Sequence, residues 1–222
     1  MKPFDLQYTM ELFPLLIKYV HITISIALLS MIVGLVLALI LAVIRIYNVK
    51  ILYPISRLYI SFFRGTPLLV QLFLLYYGIP QVLPFFRELN AYSAAVIGLS
   101  LNGSAYMAEI IRASISSVDK GQMEASLSVG MTQWQGMRRI VFPQAARVAV
   151  PSLGNTFIDL VKGSSLAFIM GVAEILAKAQ MSAAANYRFF ESYLVVALIY
   201  WAIITFFNYL QKILEVRLGK AY

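Results

Sequence analysis

The chain has 222 residues, of which 61% are hydrophobic and only 13% charged, with a mean hydropathy of +0.80. A soluble domain carries about 25% charged residues, so this composition excludes an ordinary water-soluble fold and points to a bilayer. The net charge of +8 does not mark a nucleic-acid binder, because the basic residues gather at alternate ends of apolar runs; the absence of cysteine excludes disulfides and thiolate metal sites.

In chain order, residues 1–14 read as a short external lead-in, with Pro14 near the start of a first helix over 15–47. That run is long and lacks an Ala-x-Ala cleavage site, so it reads as the membrane-targeting element and not as a removable signal. A second helix is predicted over 57–82, interrupted at Gly65-Thr66-Pro67, where proline deprives a carbonyl of its donor. Pro80 and Pro84 mark the following turn, and a third helix runs over 91–115.

The polar stretch 119–143 predicts two short helices. Asp119 caps the first, with Gln122 three residues on, and Thr132 caps the second, with Gln135 three residues on. Gly130 lies between them, where a left-handed residue would end the first helix. A fourth helix over 151–173 and a fifth over 192–216 follow, with a partly helical external segment at 174–191.

Residues 19–44, 65–86, 89–108 and 192–211 contain no Asp, Glu, Lys or Arg. Roughly 20 apolar residues cross the hydrocarbon core as a helix, so each run qualifies as a span. The fifth, 148–172, is broken by Asp159 and Lys162, and isolated charges in a span face a partner, a cavity or a substrate path.

Placing the 45–64 loop, the 112–147 segment and the C-terminal tail on one side collects twelve basic residues, against five on the other (Lys2, Lys18, Arg87, Lys178 and Arg188). The positive-inside rule makes the richer side cytoplasmic. The expectation is an all-α integral membrane protein with five spans, N-terminus outside and C-terminus cytoplasmic, in a single domain over 1–222 with a cytoplasmic loop at about 117–147.

Four polar constellations interrupt the apolar pattern. In the loop, Met123, Leu127 and Met131 share one helical face, and Trp134, Met137 and Val141 share another, beside Arg138 and Arg139. Such a ridge suits a groove on another protein, and equally a helix resting on lipid headgroups. On helix 3, Asn102, Ser104 and Tyr106 could line a path or bridge helices, while Glu109 and Arg112 form a structural pair at i,i+3. On helix 4, Asn155, Asp159 and Lys162 fall along one face, followed by Gly163 and Ser164. Asp159 and Lys162 could neutralise each other, or offer both signs to a zwitterionic substrate. The fourth is Phe63-Arg64-Gly65-Thr66-Pro67-Leu68-Leu69-Val70-Gln71 on helix 2.

The loop also carries Glu124-Ala125-Ser126, Gly130 after three further residues, and Ile140-Val141-Phe142-Pro143 after nine more. This resembles the "EAA" loop of bacterial ABC-importer permeases, with Ser126 in place of the second Ala and Phe142 in place of Leu. Together with Asn102-x-Ser104-Ala105-Tyr106-x-x-Glu109-x-x-Arg112 and the run 63–71, it resembles polar-amino-acid permeases over essentially the whole chain. Leu101 to Arg112, Asp119-Lys120-Gly121-Gln122 and Pro143-Gln144-Ala145-Ala146-Arg147 are most similar to cystine-type members. Gly163 stands where some cationic-amino-acid members carry an acidic residue, which argues against an arginine- or lysine-dedicated site.

The resemblance implies the membrane half of a type I importer in a bacterial cytoplasmic membrane, working by alternating access. Its implied partners are a pair of cytoplasmic ATPase subunits that bind ATP and Mg, a second permease subunit (the same or a different chain) and an external solute-binding protein. It makes Glu124, Ala125, Gly130, Trp134, Arg138 and Pro143 the expected ATPase-coupling residues. The substrate-path candidates are Gln71, Asn102, Ser104, Asn155, Asp159, Lys162 and Ser164. The chain has no G-x-x-x-x-G-K-[ST] loop, so ATP hydrolysis belongs to a partner, and no cofactor or metal is expected here. His21, the single histidine, reads as an interfacial residue. A stand-alone channel or secondary carrier, a scaffold protein, and an importer of glutamine, histidine or arginine are the competing readings.

Overall fold

The computed structural model describes residues 3–219, so Lys2 and Lys220, both counted in the charge tally, lie outside the described residues. Among the described residues the chain is helical, with no strand. The helices are α1 (Leu6–Ile17), α2 (Val20–Ile46), α3 (Leu52–Gly65), α4 (Leu68–Phe73), α5 (Ile79–Val82), α6 (Ala91–Ser116), α7 (Lys120–Ser128), α8 (Gln133–Gly136), α9 (Phe142–Gly163), α10 (Ile175–Asn186) and α11 (Phe189–Gly219). Among the described residues three of them, α2, α6 and α11, are each long and apolar enough to cross a membrane, and counting each of two bent helix pairs as one span gives up to five.

Close backbone approach holds α2 against α6. The buried face of α2 is a ladder of small residues, Ala27, Ser30, Gly34, Ala38 and Ala42, about one turn apart. Between membrane helices, small side chains let dispersion contacts and inter-helix hydrogen bonds replace a missing hydrophobic force. A β-carbon on Gly34 would lie 2.7 Å from Met107 Cε and 3.1 Å from the Ser100 carbonyl oxygen. Ser30 Oγ donates to the Val96 carbonyl at 3.2 Å, stitching the same seam. Ile26, Leu72, Leu99, Leu160 and Val161 fill the core where α2, α4, α6 and α9 meet.

The interruption at Gly65-Thr66-Pro67 is a bend of 111° between Leu52–Gly65 and Leu68–Val82, far more than a kink. Thr66 is extended (φ −122°, ψ 149°), as the residue before proline prefers, and Pro67 opens the next helix.

Two predicted boundaries need correction. Residues 1–14 are not a plain lead-in: α1 spans Leu6–Ile17, Asp5 caps it by accepting from the Tyr8 N–H at 3.0 Å, and Pro14 lies inside it. Leu12 and Leu16 bury against Ile175, Val195 and Ile199, so packing on α10 and α11 supports this short helix. Arg188 ties the entry down through Asp5 (3.0 Å) and Glu191 (3.1 Å). The fourth helix likewise begins earlier than residue 151. A π-turn, Met137–Val141, joins α8 to α9 in one continuous helical run, with Pro143 as the second residue of α9. The span ends in a 3₁₀ segment, Ser164–Met170, closed by left-handed Gly171 (φ +94°).

Candidate functional site: a two-signed cavity and an exposed helix–Gly–helix loop

A cavity of about 610 Å³ opens between the end of α3, α6 and α9. Its wall includes Arg64, Asn102, Tyr106, Glu109, Ser152, Asn155, Thr156 and Asp159, so a guanidinium, two carboxylates, two amides and three hydroxyls face one chamber, the Glu109 carboxylate already paired with Arg45 and Arg112. Residues 102, 106 and 109 come from one face of α6, and 152, 155, 156 and 159 from one face of α9, at spacings of three and four. The 111° bend brings Arg64 to this wall, and its guanidinium carbon lies 5.5 Å from the centre of the Tyr106 ring.

Asp159 and Lys162 do pair, at 2.7 Å, with side chains 71% and 55% exposed. Lys162 does not line the cavity; it faces a separate groove with Ser165, Tyr200 and Trp201. Among the described residues Arg64 is therefore the basic residue of the chamber, a position the sequence reading quoted but did not select.

Of the expected path residues, Asn102, Asn155 and Asp159 are brought together there. Gln71, Ser104 and Ser164 are not: all three are buried and satisfied inside the helix packing. Ser104 Oγ bonds with Tyr59 Oη at 2.8 Å, Ser164 Oγ donates to the Val161 carbonyl at 2.8 Å, and the Gln71 amide serves the helix break. Glu109 pairs with Arg112 at 2.9 Å as expected and also with Arg45 of α2, which locks the end of α2 to α6.

The polar loop forms as its caps dictate. Asp119 Oδ1 accepts from the Gly121 N–H at 2.7 Å, and Thr132 and Gln135 make a reciprocal capping box. Gly130, at φ +83°, turns α7 into α8, with the Met131 N–H donating to the Ser126 carbonyl at 3.1 Å. Ser126, where the motif has alanine, is buried, and a β-carbon on Gly136 would clash with its Oγ. The two short helices thus cross as one unit.

The predicted apolar ridge is divided. Met137 and Val141 are buried in the protein, within the π-turn that links α8 to α9. Leu127, Val129 and Trp134 stay exposed, flanked by exposed Glu124, Ala125, Arg138 and Pro143.

Over residues 8–220 the chain matches the family described as binding-protein-dependent transport system inner membrane component. It belongs to that family. This inner membrane component is 57% identical over 219 residues (99% of this chain, 98% of the relative) to the probable amino-acid ABC transporter permease protein PatM of Vibrio harveyi. It is 43% identical over 219 residues (98% and 92%) to the L-cystine transport system permease protein TcyB of Bacillus subtilis strain 168. A chain in the crystal structure of an amino acid ABC transporter with histidines superposes with a TM-score of 0.90 at 36% identity, covering 97% of this chain and 100% of that one. The fold of this inner membrane component is thus that of an ABC-transporter permease, and its family is one of transport subunits rather than enzymes.

Proposed function

We propose that this chain is the membrane-spanning subunit of an ATP-driven importer for a polar amino acid in the bacterial cytoplasmic membrane. The observation that carries the reading is that Arg64 and Asp159 both lie on the wall of one cavity. An α-amino acid is a zwitterion. A guanidinium suits its carboxylate and a carboxylate suits its ammonium, while Asn155 and the hydroxyls supply orienting hydrogen bonds. The amino-acid transport named for the relatives supports the same substrate class. L-cystine is the substrate to test first, since TcyB is similar over nearly the whole chain.

In this reading the 117–147 loop faces the cytoplasm, with the N-terminus outside and the C-terminus inside, in line with the twelve-to-five distribution of basic residues. The loop docks on a partner ATPase through Glu124, Ala125, Trp134 and Arg138. ATP and Mg belong to that partner, a second permease subunit completes the membrane assembly, and a solute-binding protein delivers substrate from outside. A rigid helix–Gly–helix unit transmits motion only if its docking energy differs between inward- and outward-open states.

The test is ATPase activity of this chain co-purified with its partner ATPase in nanodiscs, with the binding protein and a panel of amino acids. Stimulation by one amino acid supports the importer reading and names the substrate. Solute flux through the chain alone in proteoliposomes would replace it with a channel or carrier.

A further inference from the structure

Pro67 has no N–H, so the carbonyl of Phe63, which an unbroken helix would pair with residue 67, has no main-chain donor there. An unpaired carbonyl in an apolar interior is costly, so a substitute donor is required. Two side-chain amides supply it. Gln71 Nε2 donates to the Phe63 carbonyl at 3.0 Å, and Asn102 Nδ2 donates to the same oxygen at 3.1 Å.

The amides are also joined to each other, Asn102 Nδ2 donating to Gln71 Oε1 at 2.9 Å. Gln71 Nε2 further reaches the Thr66 carbonyl at 3.0 Å and Thr66 Oγ1 at 2.8 Å. Side chains from α4 and α6 thus converge on the break in α3–α4 and fix it from both sides.

Arg64 is the next residue after Phe63 in the chain. Tyr106, which lies under its guanidinium, is one turn after Asn102 on α6. The same helix therefore holds the break with one side chain and the arginine with the next. We propose that Gln71 and Asn102 are positioning residues: their linked amides set the bend at Thr66–Pro67 and so hold the Arg64 guanidinium at the cavity wall. Gln71 is buried and lines no part of the cavity, so its influence on substrate runs through Arg64. The inference rests on the reading of that cavity as the substrate site.

The experiment measures substrate-stimulated ATPase activity of the complete complex in nanodiscs, with L-cystine, L-glutamine, L-histidine and L-arginine titrated in turn. The variants are Gln71→Met, Arg64→Gln and the double variant. Gln71→Met keeps the volume and removes every donor. The expected result is a half-saturating concentration raised about 10- to 100-fold, with maximal rate far less changed, since small misplacement of a binding group costs that much. The double variant should then be no worse than about twofold beyond Arg64→Gln alone, the non-additivity of two residues acting through one contact.

A merely structural Gln71 would lower protein yield or maximal rate and leave half-saturation unchanged while Arg64→Gln shifts it; that overturns the positioning role and spares the cavity. An Arg64→Gln variant with normal half-saturation overturns the cavity reading and this inference with it. If Gln71→Met does not accumulate, Gln71→Glu, which keeps the acceptor for Asn102 but not the donors as a carboxylate, carries the same readouts.

Discussion

Tyr200 of α11 donates its hydroxyl hydrogen to the carboxylate of Glu174 at 3.1 Å, and Glu174 is fully buried. The same carboxylate accepts from the N–H groups of Leu176 (2.9 Å) and Ala177 (2.8 Å), capping α10. One side chain thereby joins the start of α10 to the middle of the last span. Tyr200→Phe should cost about 1–3 kcal/mol, the range for leaving a buried hydrogen-bonding group without its partner, read as a lower melting temperature of the purified chain. Glu174→Ala should cost more, because it removes the cap as well.

The α2–α6 seam predicts a steric penalty. Gly34→Val places atoms where Met107 Cε and the Ser100 carbonyl already stand. Main chain cannot yield as a flexible side chain does, so the loss should be about 1–3 kcal/mol. Reduced thermal stability of the solubilised protein is the measurement, and a melting temperature equal to that of the parent would contradict the close-packed seam.

Gly130 makes the opposite prediction about cause. A β-carbon there meets nothing within 4 Å, so any penalty comes from φ +83° and not from crowding. Gly130→Val should lose most transport while the chain still reaches the membrane, whereas Gly130→Asn, which tolerates the left-handed region, should keep much of it. Equal transport by both variants would remove backbone geometry from the coupling role.

Asp159 and Lys162 separate stability from function. Their ion pair is more than half exposed, so Asp159→Asn should change stability by less than about 1 kcal/mol. If its carboxylate meets the substrate ammonium, half-saturation of transport should rise at least about tenfold, the effect of losing a charge-assisted bond. Lys162→Gln, off the cavity, should leave half-saturation within about threefold, as expected of an exposed partner. A large shift for Lys162→Gln alone would return the substrate contact to the lysine.

What could be read from the residues was local. Asp119, Gly130 and the Thr132–Gln135 box obey rules that need only neighbours three or four positions away, and all form as expected. The first helix was misjudged because Leu12 and Leu16 gain their partners from α10 and α11, some 160 to 190 residues later. The site was half legible for the same reason. Asn102, Asn155 and Asp159 follow from helical spacing, but Arg64 reaches them only through a 111° bend whose size no dipeptide specifies. Gln71 looked like a polar group awaiting a substrate because the carbonyl it satisfies was orphaned by Pro67, and that debt is visible only once the break is built.

The cavity has a consequence for counting. Arg64 and Asp159, one of each sign, come from the same chain, so a transporter that contains two copies of this chain carries two such sets of charges. Equilibrium titration of that assembly tells whether each set takes its own substrate, saturating at two molecules per dimer, or both serve one path, saturating at one.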